Sequence, residues 1–196
     1  MPNIPIHEEV AIKAINNYQI DKKMFLLGAL APDSVNYKGF AKKEDRWFSH
    51  QRKKNLEKWR KRVKEFYTEE KGKINDSFLL GYIFHIITDI VYDDYYYLEV
   101  KDNIISQGNE EEDAHYIMRL DMDYYGSKSE YYKKVCSILE DVTEFPEILN
   151  ITEDILKIWL EQNLHLEVQN KEPRYITEEL VNEMTKKVTE EMKDYL

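Results

Sequence analysis

The stretch Phe78-Leu-Leu-Gly-Tyr-Ile-Phe-His-Ile-Ile-Thr-Asp-Ile-Val91 is apolar enough for a buried helix, yet it carries an imidazole at His85 and a carboxylate at Asp89. Four residues apart, the two side chains lie one above the other on a helix face, among residues that belong in a core. An unpaired carboxylate there is costly or protonates, so something must compensate it. Two readings are open. The histidine is hydrogen-bonded to its own helix neighbour, or both groups ligate a divalent metal, which satisfies an imidazole and a carboxylate at once. The run is shorter than the roughly 20 residues a bilayer span requires and contains His and Asp, so it reads as a core helix.

Outward from this run, helical periodicity continues almost everywhere, and the 6 Gly and 5 Pro fall mostly between periodic segments. The fold class is all-α, a multi-helix bundle. A first helix is predicted over about His7 to Tyr18, and a second carries Met24 to Leu30 towards Ala31-Pro-Asp33. Pro32 disfavours helix at Ala31 and puts Asp33 in a turn. One long charged helix follows over roughly Glu44 to Tyr67, with Trp59, Leu56 and Val63 on its buried side. The buried helix starts near Asp76, read as its N-cap. Further helices are predicted around Glu110 to Tyr125, Ser129 to Asp141, Thr152 to Leu166 and Thr177 to Tyr195, with Thr152 and Thr177 as caps. In the last, Leu180, Met184, Val188 and Met192 make a narrow stripe for docking on the body.

A chain of 196 residues without repeat, linker or low-complexity stretch is expected to form one domain over 1–196. The excess of 38 Asp and Glu over 28 Lys and Arg gives net charge −10, which argues against a general nucleic-acid coat protein. Cys136 is the lone cysteine, so an intramolecular disulfide and an all-cysteine zinc site are excluded. The start Met-Pro-Asn-Ile-Pro-Ile-His7 has no export-signal pattern, and a cytoplasmic location is expected. No lipid-inserting amphipathic segment separates from the core helices.

Polar residues that fit a bland core poorly form a set: His7 opening the first helix, Asp33 after Pro32, His50 in Trp47-Phe-Ser-His50, and His85 with Asp89. Three histidines and two carboxylates on four segments suit a zinc site built inside a helical bundle. Taken singly, His7 also reads as a first-turn residue, Asp33 as a turn cap and His50 as a surface residue before Gln51-Arg-Lys-Lys54.

These segments together resemble the zinc-dependent phospholipase C family, whose fold is shared with zinc-dependent single-strand nucleases. The resemblance rests on the early His7, on Phe25-Leu-Leu-Gly-Ala-Leu-Ala-Pro-Asp33, on His50 in an aromatic context and on Leu80-Gly-Tyr-Ile-Phe-His-Ile-Ile-Thr-Asp89, in that order. It implies that Asp33, His50, His85 and Asp89 hold one zinc, with Asp89 bridging to a second that His7 also reaches. Phospholipid-cleaving members carry a further His soon after this helix and then a His-x-x-x-Glu pair. Here the corresponding stretches read Tyr92-Asp-Asp-Tyr-Tyr-Tyr97 and His115-Tyr-Ile-Met-Arg119. Arginine does not ligate zinc. The secreted members also use the amine of a processed N-terminal Trp, where this chain has Met-Pro. The resemblance thus implies one to two zinc ions, with no complete ligand set for a third unless Asp93, Asp94, His115 or Asp121 substitutes. His165 has no counterpart and is read as structural.

The expected activity is hydrolysis of a phosphodiester or phosphomonoester by metal-activated water, with Asp33 orienting that water or taking its proton. It should fall below about pH 5.5 to 6, where histidine ligands protonate. The expected substrate is a small phosphoester. Phospholipid is a further candidate, and nucleic acid is disfavoured by the charge. Tyr92 to Tyr97, Tyr124 and Tyr125 read either as cleft lining or as core, and the basic run Arg52 to Lys64 as a phosphate-binding or a solvated face. The competing class is a non-catalytic helical protein that keeps the fold and one structural metal. A His-Asp metal phosphohydrolase of the adjacent-pair type is excluded, since the chain has no His-Asp dipeptide.

Overall fold

Helix α1 (Ile4–Ala14) begins earlier than periodicity suggests, because Asn3 caps it through the Ile6 amide and Pro5 is well accommodated in a first turn. The computed structural model describes residues 1–164 and 169–195, so His165 lies outside the described residues. Helix α2 (Lys22–Leu30) is capped by Asp21, which accepts the amides of Lys23 and Met24 at 2.9 and 3.2 Å. The chain does not leave helical geometry at Pro32. Ala31 stays helical and Ala31–Asn36 forms a 3₁₀ helix holding Asp33 in its first turn, where proline's missing N–H has no role to fill.

The long charged helix is in fact two, α3 (Lys43–Ser49) and α4 (Leu56–Glu70). Between them Gln51 takes a left-handed backbone, φ 50°, and Asn55 caps α4. Groups remote in sequence satisfy the carbonyls freed by this break: Tyr82 Oη donates to Ser49, and Trp59 Nε1 donates to His50 at 2.9 Å. Trp59 and Val63 are buried and Leu56 packs half-buried, as read from the sequence.

Helix α5 (Asp76–Val91) is buried from Phe78 to its end, and its cap is Asn75, not Asp76. Asp76 sits in the first turn, where a carboxylate is favoured by the helix dipole. One π-helical turn, Tyr92–Tyr96, then leads into α6 (Tyr97–Ser106), a helix that 3.6-residue periodicity does not announce. Val100 and Ile104, one turn apart, are the residues that bury α6. Helices α7 (Glu111–Lys128), α8 (Glu130–Leu139), α9 (Glu153–Asn163) and α10 (Glu178–Met192) follow the predicted segments closely, α8 to α10 with caps Ser129, Thr152 and Thr177. The buried stripe of α10 is Val181, Met184, Val188 and Met192, while Leu180 is only half-buried.

Helix α5 is the centre, packed by α1, α2, α4 and α10, with α8 behind α1 and α2, and α9 against the 3₁₀ turn. Its crossing with α2 is unusually close. A Cβ at Gly28 would stand 2.1 Å from the Phe78 oxygen, and one at Gly81 would stand 1.9 Å from the Phe25 oxygen. Only glycine permits that contact. Among the described residues the structure holds helices and turns but no strand, in agreement with the all-α reading, and no helix is long and apolar enough to cross a membrane.

Candidate metal centre

The close α2–α5 crossing brings the Ala29 carbonyl to His85, whose Nδ1 donates to it at 2.7 Å. The break after α3 does the same for His50, whose Nδ1 lies 2.8 Å from the Arg46 carbonyl and 2.9 Å from Ser49 Oγ. A carbonyl only accepts, so each Nδ1 carries the proton and each Nε2 presents a lone pair when the ring is neutral. Those two Nε2 atoms are 3.2 Å apart and face one another. Such a pair needs a cation beside it, a proton or a metal.

A single proton leaves too much unanswered. His7 stacks on His85, ring centroids 3.7 Å apart and 7° from parallel, with Nε2 3.3 Å from Asp89 Oδ1. The other Asp89 oxygen, Oδ2, lies 3.5 Å from His50 Nε2 and 3.9 Å from His85 Nε2. Asp33 Oδ1 is 3.5 Å from His50 Nε2. Both Asp89 oxygens and both His7 nitrogens are buried without a hydrogen-bond partner. Two carboxylates beside three imidazoles call for positive charge that the core itself does not supply. The donors His7, His85 and Asp89 lie within 4.8 Å of one another, as do Asp33, His50 and His85, a spacing suited to metal ions. Asp89 divides its oxygens between His7 and the His50–His85 pair, the arrangement of a carboxylate able to serve two ions.

The electrostatics favour ligand protonation states. Burial, reinforced by neighbouring His7, pushes His85 down to about 3, so its ring is neutral at physiological pH. Burial alone would raise Asp89, yet the adjoining His7 and the other nearby imidazoles hold it below the usual carboxylate range. Asp33 is lowered against burial by His50 and by the other two histidines. For His50, burial is outweighed by Asp33 and Asp89, which raise its affinity for a proton, so at Nε2 a proton competes with a metal. Asp33 retains 15% exposure while His7, His50, His85 and Asp89 retain 1% or less, so solvent reaches the cluster from the Asp33 side.

All five residues singled out in the sequence therefore converge. The four offered as substitutes do not join them. Asp93 pairs with Arg52 at 2.6 Å, Asp94 with Arg60 at 2.8 Å, and His115 is on the outer face of α7. Asp121 is buried and accepts the amides of Arg174, Tyr175 and Ile176, which fixes the approach to α10. Within the basic run, Arg60 grips Glu191, Arg62 grips Glu69, and Lys64 reaches Asp194. Tyr92 and Tyr96 are core, and Tyr125 donates to buried Glu9. Sequence reading missed the carbonyls of Ala29 and Arg46, which orient the ligands. For Ala29 the trace in the sequence is the pair Gly28 and Gly81, which permit the close α2–α5 crossing.

No curated protein and no solved structure matches the chain. The sequence model of zinc-dependent phospholipase C does, over residues 6–161, a span that runs from just before His7 to near the end of α9 and takes in all five converging residues. With that match over most of its length, and with its histidines and aspartates gathered in groups that can hold a metal, the chain belongs to the zinc-dependent phospholipase C family.

Proposed function

We propose that the protein is a zinc-dependent phosphoester hydrolase in which Asp33, His50, His85 and Asp89 hold one ion and His7 with Asp89 a second. The observation that carries this reading is the facing of two Nε2 lone pairs at 3.2 Å beside an Asp89 whose two buried oxygens have no hydrogen-bond partner. Zinc, when bound, lowers the pKa of water to about 7 and neutralises charge developing on a phosphoryl group. The chain's own contribution is positional. Ala29 and Arg46 lock the tautomers of His85 and His50, so neither ring turns when substrate enters. Asp33, the one partly exposed member of the cluster, is placed to orient the attacking water and receive its proton, while burial of the other four excludes bulk solvent. Small phosphoesters suit an opening at one carboxylate.

The test compares a soluble aryl phosphodiester, a short-chain phosphatidylcholine and single-stranded DNA, each with and without chelator, alongside elemental analysis of gently purified protein. At least one zinc per chain and chelator-sensitive release from the aryl diester are expected, with weak turnover of phosphatidylcholine and none of DNA. Zinc without turnover of any substrate would favour the non-catalytic alternative. Protein that neither contains a transition metal nor gains thermal stability on adding zinc would end the metal reading. Asp33→Asn is expected to leave the helical circular dichroism unchanged and to weaken both zinc binding and hydrolysis by about tenfold or more, since Asp33 holds no helix together. Equal hydrolysis by Asp33→Asn and wild type would move the activity away from this site.

A further inference from the structure

Phe40 is 72% exposed, more than any other exposed large hydrophobic side chain among the described residues. It lies on the loop between the Asp33 turn and α3, and it is not isolated. The Arg46 guanidinium sits over its ring at 3.9 Å, and the Lys43 ammonium sits over the Trp47 ring at 4.7 Å. Residues 43, 46 and 47 share one face of α3 by helical spacing, whereas Glu44 and Asp45 fall on the other side. Two bonds fix the loop to this face: Arg46 Nε donates to the Ala41 carbonyl at 3.2 Å, and the Ala41 amide donates to Asn36 Oδ1 at 3.0 Å. Phe40, Lys43, Arg46 and Trp47 thus make one patch. The Arg46 carbonyl that receives the His50 proton puts it one helical turn from the metal cluster.

The charge around the patch runs against the rest of the molecule. Lys38 and Lys42, which flank Phe40 in the chain, are exposed, and among the described residues neither has a carboxylate within 4.0 Å, on a chain of net charge −10. A protruding phenyl ring, a tryptophan beside it and unpaired ammonium groups are the components of an interfacial contact: rings enter the headgroup boundary while cations meet phosphates. Base stacking requires open ring faces along a groove, and here a cation already occupies one face of each ring.

We propose that this patch docks the protein on an anionic lipid surface and turns the Asp33 opening towards it. The choice of lipid as partner rests on the phosphoester reading; the binding itself needs only the patch. The test is co-sedimentation of zinc-loaded protein with vesicles of phosphatidylcholine alone or mixed with phosphatidylglycerol, at low and high salt. Binding is expected to the mixed vesicles only, to weaken at high salt, and to fall by about tenfold or more in Phe40→Ser and in Lys42→Glu/Lys43→Glu. A blue shift of tryptophan emission on binding, absent in Trp47→Phe, is the second readout, because Trp59 is already buried and Trp159 is packed against the core. Phe40→Ser should hydrolyse the soluble aryl diester at the wild-type rate. Equal sedimentation of wild type and both variants, or no vesicle binding at all, overturns the proposal. So does binding of a single-stranded oligonucleotide that is sensitive to the lysine reversals while vesicles are ignored. Vesicle binding by a protein inert on the soluble diester would support the docking surface and count against the hydrolase.

Discussion

Gly81→Ala is expected to cost about 3 kcal/mol or more and to lower the melting temperature by about 10 °C. Intrinsic helix propensity pulls the other way, favouring alanine by about 1 kcal/mol, so the steric effect must be the larger for this outcome to appear. It is larger because the added Cβ would stand 1.9 Å from the Phe25 oxygen, 2.8 Å from its carbon and 3.0 Å from the Ala29 nitrogen. All three are backbone atoms of α2, and no rotamer change relieves them. The helices must separate. Separation also stretches the 2.7 Å bond from His85 Nδ1 to Ala29, so zinc affinity should fall together with stability. Thermal melts of wild type and variant, with and without added zinc, check both effects. A melting curve that coincides with wild type would show that α2 and α5 do not need this contact.

His85→Ala is expected to abolish stoichiometric zinc and to destabilise the fold by a few kcal/mol even after the metal is removed. His85 belongs to both groups of donors that can hold an ion, so whichever group does so loses a donor. In the metal-free chain the variant leaves a cavity against the His7 ring and an Ala29 carbonyl without its donor. Two comparisons separate these effects. Zinc should raise the melting temperature of wild type by mass action and leave that of His85→Ala unmoved. Wild type stripped with chelator should still melt above the variant. Metal content at the wild-type level in His85→Ala would remove the cluster as the zinc site.

Much of the fold was legible because the signals were local. Thr152 and Thr177 cap helices through amides three residues away, and the apolar run to Val91 is buried as its composition demands. The break between α3 and α4 was not legible, since what stabilises it is supplied by Trp59 and by Tyr82, which is 33 residues from the carbonyl it serves. Helix α6 was not among the predicted segments; it continues α5 through one π-helical turn and buries only Val100 and Ile104, too few apolar positions to mark a helix locally. For the site, residue type named His7, Asp33, His50, His85 and Asp89, but substitution by Asp93 or Asp94 stayed open until arginine partners were seen to hold both.

By itself the sequence determined that the chain is helical, that one helix buries a histidine and a carboxylate a single turn apart, and which other side chains have the chemistry to join them. These follow from short-range periodicity and from the cost of burying charge. Only the tertiary structure decided that the five side chains meet, that Ala29 and Arg46 fix two tautomers, that Asp89 turns one oxygen to His7 and the other to His50 and His85, and that Phe40 stands exposed against Arg46 on the loop after the Asp33 turn. Those features depend on how closely α2 can approach α5 and where the chain breaks after α3. Contacts between residues far apart in sequence set both, and no local pattern encodes them.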